Sequence, residues 1–249
     1  MLRLRQICLV AGNRDRAVDD LRHVFGLGEG HEDENVANFG LHNRVIPVGN
    51  QFIEVVSPVT DGTTAGRYLA RRNGDGGYML ILQTDEHAAH RSRVDHLGVR
   101  IVTDATYDGY TCMQLHPADT GGTFLEIDAN DPVDEWIPAG RNWREHDNMT
   151  LVTGFVQADI GCTDPEATSG IWGAITGLPV SIGRNCGMHK IRPDDFCVRF
   201  VPAGERGEGL DAIEIKTSDA PEVLRRAAAR GLTTDHESVV ICGVRFVLK

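Results

Sequence analysis

The feature that most constrains this chain is an internal repeat that brings two glutamates into equivalent positions. The run Gln51-Phe52-Ile53-Glu54-Val55-Val56-Ser57-Pro58 returns in looser form as Thr123-Phe124-Leu125-Glu126-Ile127-Asp128, the two glutamates standing 72 residues apart. Both runs are apolar and β-branched, which predicts strands, and a lone ionisable group in such a strand is costly to bury unless something binds it. Two carboxylates in matching positions point to one shared site.

The repeat reaches back to the start of each unit. Gln6-Ile7-Cys8-Leu9-Val10 predicts a short strand, Asn13 a helix cap, and Ala17, Val18, Leu21, Val24 and Phe25 a helix that ends at Gly26. Met79-Leu80-Ile81-Leu82 opens a second copy, capped at Thr84 or Asp85, with Ala88, Arg91, Val94 and Leu97 at helical spacing before Gly98. Two further copies lie downstream. Phe155-Val156 leads through Asp164-Pro165-Glu166 to Ile171, Trp172, Ile175 and Gly177, and Ala212-Ile213-Glu214-Ile215 leads through Asp219-Ala220-Pro221-Glu222 to Leu224, Ala228 and Gly231. A proline near the first turn and a glycine after the last, followed by an aliphatic residue, mark a helix start and a Schellman-type stop.

After each helix the pattern returns to strand and turn. Leu41 to Pro47 with Phe52 to Ser57, and Cys112 to Leu115 with Thr123 to Ile127, predict hairpins. Each unit is thus β-α-β-β-β, repeated four times with the fourth truncated. Units of this size bury too little apolar surface alone, so neighbours are expected to pair into a continuous sheet with a ligand on its concave face.

A β-α-β-β-β unit with a glutamate in its last strand resembles the vicinal oxygen chelate superfamily, which includes glyoxalases, methylmalonyl-CoA epimerases, extradiol dioxygenases and bleomycin resistance proteins. The stretch His116-Pro117-Ala118-Asp119-Thr120-Gly121-Gly122-Thr123-Phe124-Leu125-Glu126 is similar to the end of an epimerase or glyoxalase module. Phe39-Gly40-Leu41-His42-Asn43 with Phe52 to Pro58 is similar to the glyoxalase-like branch. The resemblance is clear over residues 1–132 and covers the rest as architecture only. It implies an α+β fold of four βαβββ modules paired into two glyoxalase-like curved-sheet domains. Residues 1–132 would hold the ligand cleft, and 149–249 would form a degenerate second domain for scaffold, closure or homodimer contact.

Members that use a metal draw ligands from first and last strands, commonly a histidine and a glutamate. The last-strand positions here are Glu54 and Glu126, but the first-strand positions are Gln6 and Met79. An ungapped alignment puts Gly154 and Ala212 in the first-strand places of the second half, with Val198 and Leu248 in the glutamate slots. No imidazole remains, and carboxylates with one amide make a hard oxygen site that holds zinc, iron or nickel weakly. The expectation is no tightly bound transition metal, the alternative being a divalent metal near Gln6, Glu54 and Glu126. His116 reads either as a substitute ligand or as a turn residue.

A chain of 249 residues with 41% hydrophobic content can bury one sizeable core or two small ones. The boundary is expected within residues 131–148, a polar stretch that nevertheless holds Trp136 and Trp143. No apolar run is long enough to span a membrane, and the opening Met-Leu-Arg-Leu-Arg carries no signal-peptide core, so a cytoplasmic protein is expected. Of six cysteines, Cys8, Cys112, Cys197 and Cys242 fall in predicted strands, while Cys162 and Cys186 lie in less regular segments. None forms a CxxC pair, which favours reduced structural thiols. A formal charge of −11 argues against a nucleic-acid partner and leaves a small-molecule ligand.

Glu54 and Glu126 are the catalytic candidates, against the plainer alternative of solvated residues on an open sheet face. Gln6, Asn43, His42, Arg67, Tyr78 and His116 are the substrate-binding candidates. Asn43 and His42 lie where the hairpin meets the cleft, Arg67 with Arg71 offers two guanidinium groups at i and i+4, and Tyr78 reads as a phenol donor or as packing. His23, His87, His90 and His96 occupy helix positions where solvent exposure is expected. Three functions follow: an isomerase, lyase or related enzyme using a glutamate as general base; a binding or resistance-type protein without catalysis; and a metal-dependent dioxygenase or lyase.

Overall fold

The computed structural model describes residues 1–183 and 187–249, so Cys186 lies outside the described residues. The fold is mixed α and β. In chain order the elements are β1 (Leu2–Val10), α1 (Arg14–Phe25), β2 (Leu41–Val48), β3 (Gln51–Pro58), α2 (Thr64–Arg72), β4 (Gly76–Thr84), α3 (His87–Leu97), β5 (Ile101–Tyr107), β6 (Tyr110–Leu115) and β7 (Phe124–Asn130). There follow β8 (Val152–Cys162), α4 (Pro165–Thr176), β9 (Ser181–Ile182), β10 (His189–Ile191), β11 (Cys197–Pro202), β12 (Gly209–Thr217), α5 (Ala220–Ala229), β13 (Ser238–Ile241) and β14 (Val244–Leu248).

The helix boundaries follow from local chemistry. Asn13 accepts the Arg16 N–H at 3.0 Å, Asp164 that of Ala167 at 2.9 Å and Asp219 that of Glu222 at 3.0 Å, each satisfying an orphan donor of the first turn. Gly26, Gly98 and Gly177 end α1, α3 and α4 in the left-handed region, where a residue without Cβ is least strained. The last helix stops one residue earlier, at Arg230, and Gly231 follows at φ 71°.

In every repeat the first strand pairs in parallel with the last: β1 with β3, β4 with β7, β8 with β11 and β12 with β14. The second strand varies. It is β5 in the second repeat and β9 in the third, but in the first and fourth it shrinks to single bridges, His31 to Val45 and Thr234 to Val239.

The chain forms two compact units. The first comprises Met1–Arg5, Tyr78–Ile137 and Gln157–Leu210; the second comprises Gln6–Gly77, Pro138–Val156 and Asp211–Lys249. The expected division into 1–132 and 149–249 is therefore not the one compactness follows: repeats two and three share the first unit, and repeats one and four share the second. The helices carry the physical reason. In the first unit α3 packs on α4, and Trp172 of α4 donates its indole N–H to the Thr120 carbonyl at 2.9 Å. In the second unit α1 packs on α5, and Arg230 binds Asp20 at 2.6 Å and also Asp19.

The chain passes between the units at five places, one of them 137/138, and Trp136 and Trp143 fall in different units. Trp136 is buried in the first unit with its ring edge-on to Tyr110 at 5.4 Å and Arg5 over its face. Trp143 is buried in the second against Phe52 at 5.1 Å. Among the described residues, no helix is long and apolar enough to cross a membrane.

Candidate functional site

Register makes the two glutamates equivalent. Glu54 lies opposite Cys8, with Gln6 two residues earlier opposite Phe52; Glu126 lies opposite Ile81, with Met79 two residues earlier opposite Phe124. Because strand side chains alternate, each pair shares the sheet face away from its helix. The two glutamates fall in different compact units, and each forms a cluster of its own.

In the second unit Glu54 is held by two amides. Gln6 donates to Oε2 at 2.9 Å and Asn43 to Oε1 at 2.6 Å, and all three side chains are buried. Asn43 in turn accepts the Asp33 backbone N–H at 2.9 Å, so its amide is used at both ends. The amides thus orient the carboxylate, a different job from the substrate contacts expected of them.

In the first unit Glu126 belongs to a denser cluster. Gln114, directly opposite on β6, donates to its Oε2 at 2.8 Å and lies 3.4 Å from the Met79 sulfur. Asp128 stands two residues on along β7 and so lies on the same face. Tyr110 donates its hydroxyl to Asp128 Oδ2, and the Met113 N–H lies 3.4 Å from Oδ1. Burial raises the proton affinity of Glu126; burial and then the Glu126 charge raise that of Asp128 further. Burial also pushes the Tyr110 hydroxyl well above its ordinary value, and burial with the two carboxylates pushes the Cys112 thiol up to about 12. A cysteine held so far toward the thiol is no nucleophile.

Other expected site residues lie elsewhere. His42 is next to Asn43 and alternation turns it to the opposite face, where burial and then the Arg14 charge lower its proton affinity. Arg67 is exposed on α2 and donates to the Gly62 carbonyl at 2.5 Å and to Thr64 at 2.9 Å, securing the start of its own helix. Tyr78 packs on Phe124 at 4.9 Å, a core contact. His116 Nδ1 accepts the Ala118 N–H at 3.2 Å, the turn role. His90 is buried rather than exposed, its Nδ1 3.3 Å from the Ile175 carbonyl. Cys162 is buried at the end of β8, and Cys242 sits at φ 50° in the turn after β13.

The second-half slots also shift. Val198 and Leu248 belong to the buried row with Phe200 and Phe246, so the residues on the glutamate face are Arg199 and Val247, opposite Asp159 and Glu214. The matching first-strand places are Gln157, in place of Gly154, and Ala212. Arg199 grips Asp159 through Nε at 2.8 Å and Nη2 at 2.5 Å. Sequence reasoning missed Asp128, Tyr110, Gln114 and this ion pair. The available signal was alternation: Asp128 follows Glu126 by two and so must share its face. Arg72, in the same stretch as Arg67 and Arg71, is the buried arginine of α2 and binds Asp211 at 2.7 Å.

Both Glu54 oxygens are engaged by side-chain amide N–H groups. Among the described residues, no group of three or more His, Cys, Asp or Glu side chains is placed to hold a metal ion. A surface hollow of about 270 Å³, lined by Asp15, Val18, Asp19, Arg22, Glu29 and Arg44, includes none of the site candidates.

The sequence matches no protein-family model and no curated protein. Among solved structures, the chain is similar over its whole length to a hypothetical protein from Staphylococcus aureus, with TM-score 0.68 at 14% identity, covering 100% of this chain and 99% of that one. This likeness concerns the fold. Partial likenesses include a methylmalonyl-CoA epimerase from Mycobacterium tuberculosis (TM-score 0.45, 23% identity, 51% of this chain and 87% of that one). Another is a Streptomyces coelicolor methylmalonyl-CoA epimerase (TM-score 0.46, 20% identity, 51% and 96%).

Proposed function

We propose that the protein is a glyoxalase-like small-molecule enzyme, of isomerase, lyase or related type, in which a strand glutamate is the general base toward a carbon acid. The observation that carries this reading is the buried glutamate found at one strand position in two repeats, each pinned by a side-chain amide on its own sheet face. Glu126 is taken as the base of the first unit. Desolvation makes its carboxylate a better proton acceptor, and an ideal catalytic group has a proton affinity near the working pH. The step takes a proton from a carbon beside a carbonyl onto Glu126, leaving an enolate, and returns it to the same or a neighbouring carbon. The reading uses no metal, and it takes each compact unit as a glyoxalase-like pair of modules.

A second reading has its own support. Both oxygens of Glu54 are already occupied by amides, an arrangement suited to holding a polar group and poorly suited to proton transfer. The second unit would then bind a ligand without chemistry.

A thermal-shift screen of carbonyl carbon acids (2-oxo acids, β-keto acids and acyl thioesters), with and without Mg²⁺ and Mn²⁺, separates these readings. A true ligand at a hundredfold excess over its Kd stabilises by about 2.7 kcal/mol. The expected result is stabilisation that needs no metal, and turnover of at least one hit. Ligands that bind without turnover leave the binding-protein reading, and stabilisation only with a metal contradicts the metal-free mechanism.

A further inference from the structure

We infer that the sheet face of the third repeat turned away from α4 carries a binding site for a monoanionic carboxylate, built on the Lys190 ammonium with Arg199 and Ser181 beside it. The site goes beyond the proposed function and does not depend on it.

Register lines these residues up. Across β8, β11, β10 and β9 the chain places Asp159, Arg199, Lys190 and Ser181 in one row, each opposite the next. The adjoining row shows which face this is. His189 and Phe200 turn toward the helix: His189 Nδ1 lies 3.3 Å from Ser169 Oγ, and Phe200 meets Trp172 edge-on at 5.5 Å, both partners belonging to α4. Strand side chains alternate, so Lys190 and Arg199 project from the other face. All of these residues belong to the first unit.

The charges on the row do not balance. Lys190 and Arg199 stand directly opposite each other on antiparallel strands, a placement in which like charges destabilise. The one carboxylate of the row is committed to Arg199. Asp159 Oδ1 accepts Arg199 Nε at 2.8 Å and the Gln157 amide at 3.3 Å, and Oδ2 accepts Nη2 at 2.5 Å. Asp159 is buried, which fixes that pairing, and among the described residues no carboxylate pairs with the half-buried Lys190. The row therefore keeps one positive charge, in a chain whose formal charge is −11. A ligand with a single negative charge cancels the excess and relieves the Lys190–Arg199 repulsion, whereas a dianion would leave a net negative charge beside Asp159. The ammonium offers three donors as a compact point charge, and the Ser181 hydroxyl, 3.5 Å from the Lys190 carbonyl, stands in line to offer another. Two carboxylate oxygens match that pair of donors.

The test is a ¹H–¹⁵N correlation titration of the whole protein with sodium acetate at constant ionic strength, repeated with inorganic phosphate. Acetate should shift the amide resonances of Ser181, Lys190 and Arg199 saturably. Lys190→Gln removes a charge-assisted hydrogen bond and should weaken acetate binding about tenfold or more, while Lys190→Arg should retain it. Thermal melting gives a second readout: ligand-free Lys190→Gln should melt no lower than the parent, because the opposed cations are gone, and acetate should no longer stabilise it. Shifts that never saturate, or acetate binding unchanged in Lys190→Gln, overturn the inference. Phosphate binding more tightly than acetate overturns the assignment of a monoanion, and a lower melting temperature for ligand-free Lys190→Gln overturns the unbalanced row.

Discussion

Asn43 and Glu54 are joined by a 2.6 Å hydrogen bond whose donor is itself fixed by the backbone N–H of Asp33. The strand glutamate is thereby tied to the 3₁₀ turn Glu34–Phe39, which Asp33 caps and which has no buried residue of its own.

Replacing Asn43 with leucine removes a donor and an acceptor while keeping the volume. It leaves one buried Glu54 oxygen and the Asp33 N–H without their partner, each costing about 1–3 kcal/mol. Urea unfolding should show a loss in that range, with faster amide exchange at Asp33. A loss below about 0.5 kcal/mol with unchanged exchange would mean that the contact does not order the site.

The Glu126–Asp128 pair also predicts how stability depends on pH. Both groups hold protons more tightly when folded than the roughly pH 4 value of an unfolded carboxyl. Their contribution is therefore fully present below about pH 4 and lost as pH rises through the folded values. Asp119 and Glu222, held near about 2 by Arg100 and Arg225, act in the opposite sense: their contribution falls as pH drops below 4. Asp128→Asn should flatten the decline above pH 4 in a series of melting temperatures from pH 4 to 9. Parallel curves for parent and variant would contradict the raised pair.

The tryptophans 136 and 143 each seat a large apolar side chain in a different unit. Trp136→Ala and Trp143→Ala should each cost about 3–5 kcal/mol in equilibrium unfolding. A cost under about 1 kcal/mol for either would show that its segment is only a tether.

The repeat, the helix starts and the glycine stops were legible because caps and turns are written in adjacent residues. The equivalence of Gln6 with Met79 and of Glu54 with Glu126 was legible for the same reason. Which repeats share a compact unit was not. That choice depends on α1 meeting α5 and α3 meeting α4, contacts between segments far apart in the chain, 211 residues in the case of Asp19 and Arg230, that no local period encodes. The misplacements of His42 and Val198 have one cause: a shift of one residue along a strand exchanges the two faces. Arg67 was favoured over Arg72 because helical spacing shows which residues share a face, while burial of that face depends on what packs there.

Solvent deuterium uptake into a bound carbon acid tests the central claim most directly. For ligands that stabilise the protein, exchange in D₂O should be catalysed by the parent, and Glu126→Gln should slow it by about a hundredfold or more. Glu54→Gln should have the smaller effect. Exchange at the parent rate in both variants would contradict the proton-transfer role and leave the two glutamates as structural residues.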